Sequence, residues 1–333
     1  MPSAGIRLAL SFAFAAGLAS QAAAQDRKVL IVAEPLHGTG YLPLYVAIQK
    51  GFFAAQGIDV KILTVESGSG HTNAVLSGQA FAFIGGPEHN AFAKLKGGEL
   101  RAVVNVVDRG NSYFVAAAGK EPAAGVSMPD YFRGKTIATG LFSGTPNSIT
   151  RYLLKKYNLD FRTDVTVMEA TNGAIMAAVK TGNAQIGVLT EPAITQGVRQ
   201  KLWGEPIVNI PKDLGPYAYS TLNVRQDSID KDPESVRKFV RGVMLGLKAT
   251  YDNPEEAAAI AKKEFPTMAL DDLKATLDRS FRDEIWSRDG SVSRASWDTA
   301  GRVVLDAGVL KQPVPYEQII DMSFFEASRD LVN

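Results

Sequence analysis

Residues 74–84 read AVLSGQAFAFI and lead into a Pro-Glu pair at 87–88. A similar stretch, AVKTGNAQIGV, occupies residues 178–188, 104 positions later, and leads into Glu-Pro at 191–192. Each copy predicts the end of a helix, a glycine that stops it, a short buried strand and a turn into another helix. Two similar α/β units predict two lobes, and a cleft between lobes suits a small ligand. The repeat therefore favours a binding protein over an enzyme.

The first 24 residues differ in composition from the rest of the chain. Arg7 is their only charged residue, Leu8 to Leu18 is nearly all apolar, and an A-x-A signal ends at Ala24. We expect a secretory signal peptide cleaved near Ala24, because the apolar core is too short to cross ~30 Å of hydrocarbon. The chain also lacks the cysteine that would carry a lipid anchor. Both features favour the periplasm of a bacterium with two membranes.

Charge and cysteine content exclude several classes of function. Without the signal peptide the chain has 35 basic and 35 acidic side chains, and no run of five like charges occurs. Nucleic acid and anionic membranes need a concentrated positive face, so neither is expected as a partner. The absence of cysteine excludes disulfides, thiolate metal sites and a cysteine nucleophile.

The order of predicted strands and helices indicates an α/β fold. Short apolar strands alternate with helices in both units, which is typical of mostly parallel sheets flanked by helices. We predict a first lobe over residues 25–117 and a second over 118–216. Residues 217–333 return to the first lobe and add C-terminal helices. The outward crossing is predicted near residues 116–121.

Ligands of open parallel sheets bind in the crevice beyond the carboxyl ends of the strands, and this rule selects the loops there. These loops contain glycines for close backbone approach and side chains with hydroxyl or amide groups. The segment 67–72, SGSGHT, has free N–H groups at a helix start that would hold an anion without a lysine or arginine. The predicted ligand-binding residues are His37, Thr39, Gly40, Tyr41, Ser67, Gly68, Ser69, Gly70, His71, Gly86, Glu88, Ser143, Gly144, Thr145, Asn147, Asn172 and Glu191.

Two groups of residues leave alternatives open. The three histidines, His37, His71 and His89, all fall in these loops and would suit zinc or iron, although their spacing matches no metal motif. Glu88 and Glu191 correspond in the repeat. They would serve acid–base chemistry, bonds to a ligand or bonds between lobes. No nucleophile or cofactor motif accompanies them, so we predict no catalytic residue, no metal and no cofactor.

Four stretches carry a family resemblance: residues 42–60, 76–88, 133–138 and 182–193. As a set they resemble the periplasmic solute-binding proteins of ABC importers, in the branch that handles nitrate, sulfonates, taurine and thiamine precursors. The resemblance implies a two-lobed periplasmic-binding-protein fold of type II, with the second lobe inserted in the first. It also implies a monomer that closes by a hinge over a small molecule and delivers it to an inner-membrane permease with its ATPase.

The resemblance leaves the ligand open. The family often has aspartate after its Gly-Gln-Xaa motif, whereas this chain has Phe81 and Gln185 there, so a lobe-closing role for that acid is in doubt. We predict a small organic anion such as a sulfonate, or nitrate. The alternatives are a pyrimidine or other heterocycle, an enzyme on the same fold, or a sensor. The thiamine-pyrimidine synthase of similar fold uses a cysteine-rich segment that this chain lacks.

Overall fold

The computed structural model describes residues 27–331. The predicted signal peptide at residues 1–24, with its cleavage site near Ala24, lies outside the described residues. Within residues 27–331, no helix combines the length and the apolar character needed to cross a bilayer.

The strands of residues 27–331 form two five-stranded sheets. The first sheet has the order β2-β1-β3-β10-β4 and the second β7-β6-β8-β5-β9. The strands are β1 (Lys28–Glu34), β2 (Ile58–Thr64), β3 (Ala82–Gly85), β4 (Leu100–Arg109), β5 (Tyr113–Ala116), β6 (Thr136–Thr139), β7 (Thr166–Glu169), β8 (Ile186–Leu189), β9 (Val208–Asn209) and β10 (Pro216–Arg225). The repeated stretches supply β3 and β8, which are the central strands of the two sheets. The predicted two-lobed α/β fold is confirmed.

Helices flank both sheets, and the last six follow β10. They are α1 (Leu42–Gln49), α2 (Phe52–Ala55), α3 (Gly70–Leu76), α4 (Glu88–Lys94), α5 (Met128–Phe132), α6 (Thr145–Lys156), α7 (Asn172–Lys180), α8 (Ala193–Arg199), α9 (Ile210–Leu214), α10 (Gln226–Lys231), α11 (Pro233–Asp252), α12 (Pro254–Glu264), α13 (Leu270–Arg282), α14 (Arg294–Asp306) and α15 (Ser323–Glu326). Short 3₁₀ turns lie at Thr39–Tyr41, Tyr316–Gln318 and Arg329–Leu331. The glycines of the repeat, Gly78 and Gly182, have φ of 82° and 78°, so each ends its helix in the left-handed conformation that favours glycine.

One strand of each sheet runs against the other four. In the first sheet β10 is antiparallel to both β3 and β4, while β1 pairs in parallel with β2 and β3. In the second sheet β5 is antiparallel to β8 and β9, while β6 pairs in parallel with β7 and β8. Both reversed strands are the first that the chain forms after it passes from one sheet to the other.

The outward crossing lies earlier than predicted. β4 belongs to the first sheet and β5 to the second, so the chain crosses at residues 110–112 rather than near 116–121. Residues 113–116, assigned above to the first lobe, therefore pair in the second sheet. β5 is short, mostly apolar and buried, and such a strand suits either sheet; its pairing with β8 decides that it belongs to the second. The chain returns between β9 and β10, and the domain limits otherwise stay a prediction.

The two connections between the sheets lie against each other. A Cβ atom on Gly110 would come within 2.5 Å of Ile210 Cγ2 and 3.1 Å of Tyr217 Cδ1. The amide of Ile210 donates a hydrogen bond to the carbonyl oxygen of Ser112 at 3.3 Å. Ser112 Oγ and the Tyr219 hydroxyl also lie within hydrogen-bond distance, at 3.2 Å. The outgoing and returning segments thus form one packed junction between the lobes.

Helix α11 packs against α1 through small residues. The α11 helix begins after Asp232, whose side chain accepts a hydrogen bond from the Ser235 amide at 3.1 Å. At Gly246 the two helices approach so closely that a Cβ would lie 2.3 Å from the carbonyl oxygen of Pro43 and 2.8 Å from Cβ of Ala47. Because the nearest atom belongs to backbone, the contact cannot relax by a side-chain rotation.

We expect Gly246→Ala to lower the free energy of unfolding by about 2 kcal/mol, the usual cost of overpacking a core. Gly301→Ala is the matched control, because its Cβ would meet no atom closer than 3.7 Å and alanine favours a helix interior. The control should be neutral or stabilising by up to about 1 kcal/mol. Urea unfolding followed by circular dichroism measures both. Equal stability of the two variants would contradict the close packing.

Candidate functional site

A cavity of about 380 Å³ lies between the two sheets. Its walls come from the carboxyl ends of the six strands that form parallel pairs, β1, β2 and β3 in the first sheet and β6, β7 and β8 in the second. This is the position that the strand rule selects from the sequence. The cavity is therefore the candidate ligand site.

Eleven of the seventeen predicted site residues line this cavity. They are His37, Gly40, Tyr41, Ser67, Gly68, His71, Gly86, Gly144, Thr145, Asn172 and Glu191. The other six, which lie outside the lining, are Thr39, Ser69, Gly70, Glu88, Ser143 and Asn147. Asn147 lies inside α6 because that helix begins at Thr145, and its side-chain amide donates to the Gly140 carbonyl and to Glu169.

The predicted ligand-binding residues do not include the lining residues that lie in or next to the two connections between the sheets. Asn111 lies in the outward crossing, and Tyr219 and Ser220 lie in β10 just after the return. Because the strand rule concerns parallel strands, it does not select a reversed strand. The available signal was the polar residues inside this strand, Ser220, Thr221 and Asn223, all of which the structure buries.

The end of β1 anchors the loop that carries His37. Glu34 is fully buried, and its carboxylate accepts hydrogen bonds from the Tyr45 hydroxyl at 2.6 Å and the Thr64 hydroxyl at 2.8 Å. His37 Nδ1 lies 3.0 Å from Glu34 Oε1, and this bond raises the pKa of His37. At the other side of the loop, Trp286 Nε1 donates to the carbonyl oxygen of Gly40 at 3.0 Å.

His71 and His89 form a buried pair on the cavity wall. Their ring centroids lie 4.7 Å apart in a T-shaped arrangement, and His71 also contacts the edge of Phe83. Burial lowers the pKa of His71 well below its ordinary value and that of His89 to about 4, so both are neutral at physiological pH. Neither ring nitrogen of His71 has a hydrogen-bond partner among the described residues.

The lining has little positive charge. Among the described residues that form it there is no lysine or arginine, while two carboxylates, Glu66 and Glu191, are present. His37 is the lining histidine whose pKa is raised, and its Nδ1 already interacts with the carboxyl group of Glu34. The N-termini of α6 and α7 reach the wall at Gly144 and Asn172 and supply only partial positive charge.

Glu88 connects the two lobes next to the cavity. The Thr145 hydroxyl, at the first residue of α6, donates a hydrogen bond of 2.6 Å to Glu88 Oε1. Burial raises the pKa of Glu88 to about 7, although the bond from Thr145 lowers it. Nearby, a Cβ on Gly68 would lie 1.9 Å from the carbonyl oxygen of Phe142. The lobes are thus closed on each other at this edge.

Glu191 connects the second unit to the C-terminal helices. Its carboxylate accepts hydrogen bonds from the amide and hydroxyl of Thr195, at 3.0 and 2.8 Å. Nε of Arg279, on α13, lies 2.8 Å from Glu191 Oε1 without the alignment of a hydrogen bond. Burial raises the pKa of Glu191, and the bonds from Thr195 and the charge of Arg279 oppose that shift. Arg279 also binds Glu205 at 2.8 Å.

A three-histidine metal site is not assembled in the part of the chain that the structure describes. No group of three or more histidine, aspartate or glutamate side chains is placed there to hold a metal ion. His71 and His89 contact each other, whereas His37 interacts with Glu34 and lies near Glu264.

The model of the family described as NMT1/THI5 like matches residues 39–257, about two thirds of the chain. The chain belongs to the NMT1/THI5-like family. The matched segment includes both copies of the repeat and both crossings.

Curated relatives align over most of the chain. YtlA of Bacillus subtilis strain 168 is 23% identical over 297 residues, which covers 89% of this chain and 88% of YtlA. The riboflavin-binding protein RibY of Chloroflexus aurantiacus is 28% identical over 305 residues, covering 85% and 82%. A 4-amino-5-hydroxymethyl-2-methylpyrimidine phosphate synthase of Uromyces fabae is 25% identical over 259 residues, covering 74% and 73%.

Solved structures agree with the fold. The alkanesulfonate-binding protein SsuA of Xanthomonas axonopodis superposes with a TM-score of 0.71 at 13% identity, covering 89% of this chain and 98% of SsuA. The nitrate-binding protein NrtA of Synechocystis superposes with a TM-score of 0.71 at 14% identity, covering 92% and 91%. The resemblance to the periplasmic solute-binding proteins is thereby confirmed for family and fold.

We expect Arg279→Met to lower the free energy of unfolding by about 3 kcal/mol, because Glu191 is left buried without its cation. Glu205→Gln is the control: its side chain is 70% exposed, so losing that ion pair should cost less than about 1 kcal/mol. Adding Glu191→Gln to Arg279→Met should restore part of the loss. Urea denaturation at pH 7 measures all of these variants, and equal losses for Arg279→Met and Glu205→Gln would contradict the buried pair.

Proposed function

We propose that the chain is the extracytoplasmic solute-binding subunit of an ABC importer. It captures a small molecule in the cavity between the lobes and delivers it, as a monomer in the periplasm, to an inner-membrane permease with its ATPase. The observation that carries the proposal is the cavity itself, which is formed by the strand ends of both sheets in a chain of this family. Closure of two lobes over a ligand is the motion that this architecture permits.

For the ligand, we propose an uncharged, planar, nitrogen-containing molecule ahead of the small anion expected from the sequence. The lining described here has no lysine or arginine, and the buried histidines on it are neutral. A bare anion would meet the carboxylates of Glu66 and of Glu191, of which only Glu191 has Arg279 beside it, and the partial charges of helix ends. The volume of about 380 Å³ lies in the range of pockets for larger organic ligands, and nitrate would leave most of it to water.

The polar side chains on the cavity wall favour a heterocyclic ligand over a small anion. Within residues 27–331, the two ring nitrogens of His71 and the side-chain oxygen of Asn111 have no hydrogen-bond partner. A neutral imidazole offers one donor and one acceptor, which suits the edge of an amide-like heterocycle. Tyr41 and Tyr219 add aromatic surface for a planar ring. A named relative is a riboflavin-binding protein, which agrees with a heterocyclic ligand.

A binding role fits the glutamates better than catalysis. Glu88 lies outside the cavity lining, and the Glu191 carboxylate accepts bonds from Thr195, so neither is placed to exchange protons with a ligand. The small anion remains the second candidate, because the N-termini of α6 and α7 reach the cavity and attract negative charge. An anionic ligand would have to bind those N–H groups without help from a cationic side chain.

A thermal-shift panel on residues 25–333 separates the two ligand classes. It includes nitrate, taurine and an alkanesulfonate on one side, and riboflavin and hydroxymethylpyrimidine on the other. A ligand at 100 times its dissociation constant stabilises by about 2.7 kcal/mol, a rise of several degrees in Tm. We expect the shift with a heterocycle. A shift with the anions alone would favour the small anion over the heterocycle as the ligand. The absence of a shift with any organic or inorganic solute would argue against a solute binder.

We expect His71→Leu to abolish the shift caused by the bound heterocycle while leaving the Tm of the free protein unchanged or higher. Its ring nitrogens have no partner in the described chain, so their removal breaks no protein hydrogen bond. Thr72→Val is the control, because Thr72 is a buried neighbour on α3 that lies outside the cavity lining. An unchanged ligand shift in His71→Leu would remove His71 from the site.

A further inference from the structure

Glu88 is a buried carboxyl group without a compensating charge. It is fully buried, and its Oε2 has no hydrogen-bond partner among the described residues. Its Oε1 accepts the single bond of 2.6 Å from the Thr145 hydroxyl. The carboxyl group rests against the bare Cα of Gly86, where a Cβ would lie 2.0 Å from Oε2. Glycine at position 86 therefore leaves the space that this carboxyl group occupies.

The groups that face Glu88 supply no positive charge. Tyr217 and Tyr219 approach it from β10, and Tyr41 approaches from the loop after β1. Burial raises the pKa of all three hydroxyls, so they are neutral, and the next residue on its own helix, His89, is neutral as well. An ionised carboxylate in these surroundings would lose its hydration without gaining a cation.

The bond to Thr145 joins parts of the chain that separate when the lobes open. Glu88 begins α4 of the first lobe, and Thr145 begins α6 of the second. Gly144 and Thr145 themselves line the cavity, so opening the cavity at this edge breaks the bond and admits water to Glu88. The burial of Glu88 thus depends on closure.

We propose that Glu88 and Thr145 form a protonated latch, so that closing the lobes over the cavity takes up one proton at Glu88. The latch rests on the proposed function, because closure of the lobes is the motion by which the protein binds its ligand. The bond between Glu88 and Thr145 itself forms with or without a ligand. Glu88 is a positioning residue here: it holds the first turn of α6 over the cavity through Thr145 and lies outside the lining.

The pH range follows from the burial of Glu88. Its pKa is about 7 in the closed form, and water contact in the open form returns it toward the ordinary value of 4.5. Between these values the closed form holds one more proton than the open form. The closed-to-open ratio therefore falls as pH rises, by about tenfold per pH unit from pH 5 to pH 7, and levels off above pH 7.

Because the chain has no cysteine of its own, cysteines introduced at two chosen positions can be labelled specifically. The distance between the labels then measures closure without any ligand. Spin labels on Lys96→Cys and Lys180→Cys, exposed positions in the first and second lobes, report the distance between the lobes by double electron–electron resonance. We expect more of the short-distance population at pH 5.5 than at pH 8. In Glu88→Gln the populations should be equal at both pH values, and Thr145→Val should reduce the short-distance population at pH 5.5.

A second readout detects the protonated carboxyl group directly. Infrared difference spectra between pH 5.5 and pH 8 should contain a buried carboxylic acid band that Glu88→Gln removes and that the exposed control Glu255→Gln retains. The latch is overturned if the wild-type distance distribution is the same at pH 5.5 and pH 8. It is also overturned if Glu88→Gln keeps the pH response of the wild type. The latch experiment contains no solute, so a failed ligand panel counts against the proposed function alone.

Discussion

The packed junction between the two connecting segments is the constraint on which the rest of the structure depends. Gly110 has no room for a side chain beside Ile210 and Tyr217, so the outgoing and returning chains run side by side. Each strand that leaves this junction must satisfy its backbone hydrogen bonds in the sheet it enters. β5 and β10 do so as reversed strands, and both sheets then direct the carboxyl ends of their parallel strands at one gap.

The chemistry of that gap follows from which side chains reach it. Basic residues bind acids elsewhere: Arg279 is engaged by Glu191 and Glu205, and Arg151 by Glu169. The wall has glycines, hydroxyl and amide groups, aromatic rings, three histidines and the carboxylates of Glu66 and Glu191, and its described residues include no lysine or arginine, a composition that favours hydrogen bonding. Recognition by such a wall depends on the pattern of donors and acceptors rather than on net charge.

The repeat has diverged in what its two glutamates do. Glu88 and Glu191 follow corresponding central strands, yet Glu88 accepts one hydroxyl bond across the lobes and Glu191 has Thr195 and a cation beside it. Burial raises the pKa of both, but only Glu191 has an arginine to oppose the shift. These glutamates, one position out of step in the 104-residue repeat, therefore have different electrostatic surroundings, because Thr145 and Arg279 come from distant segments of the chain.

The sequence by itself determined the alternation of strands and helices, the two-lobed α/β fold and the loops that border the cavity. These depend on local periodicity, on glycine stops such as Gly78 and Gly182, and on the general position of ligands at parallel strand ends. Only the tertiary structure decided the sheet that holds β5, the place of Tyr219 and Ser220 on the wall, and the partners of Glu88 and Glu191. Those outcomes depend on contacts between residues far apart in the chain, and no local pattern encodes which distant group will be nearest when the chain has packed.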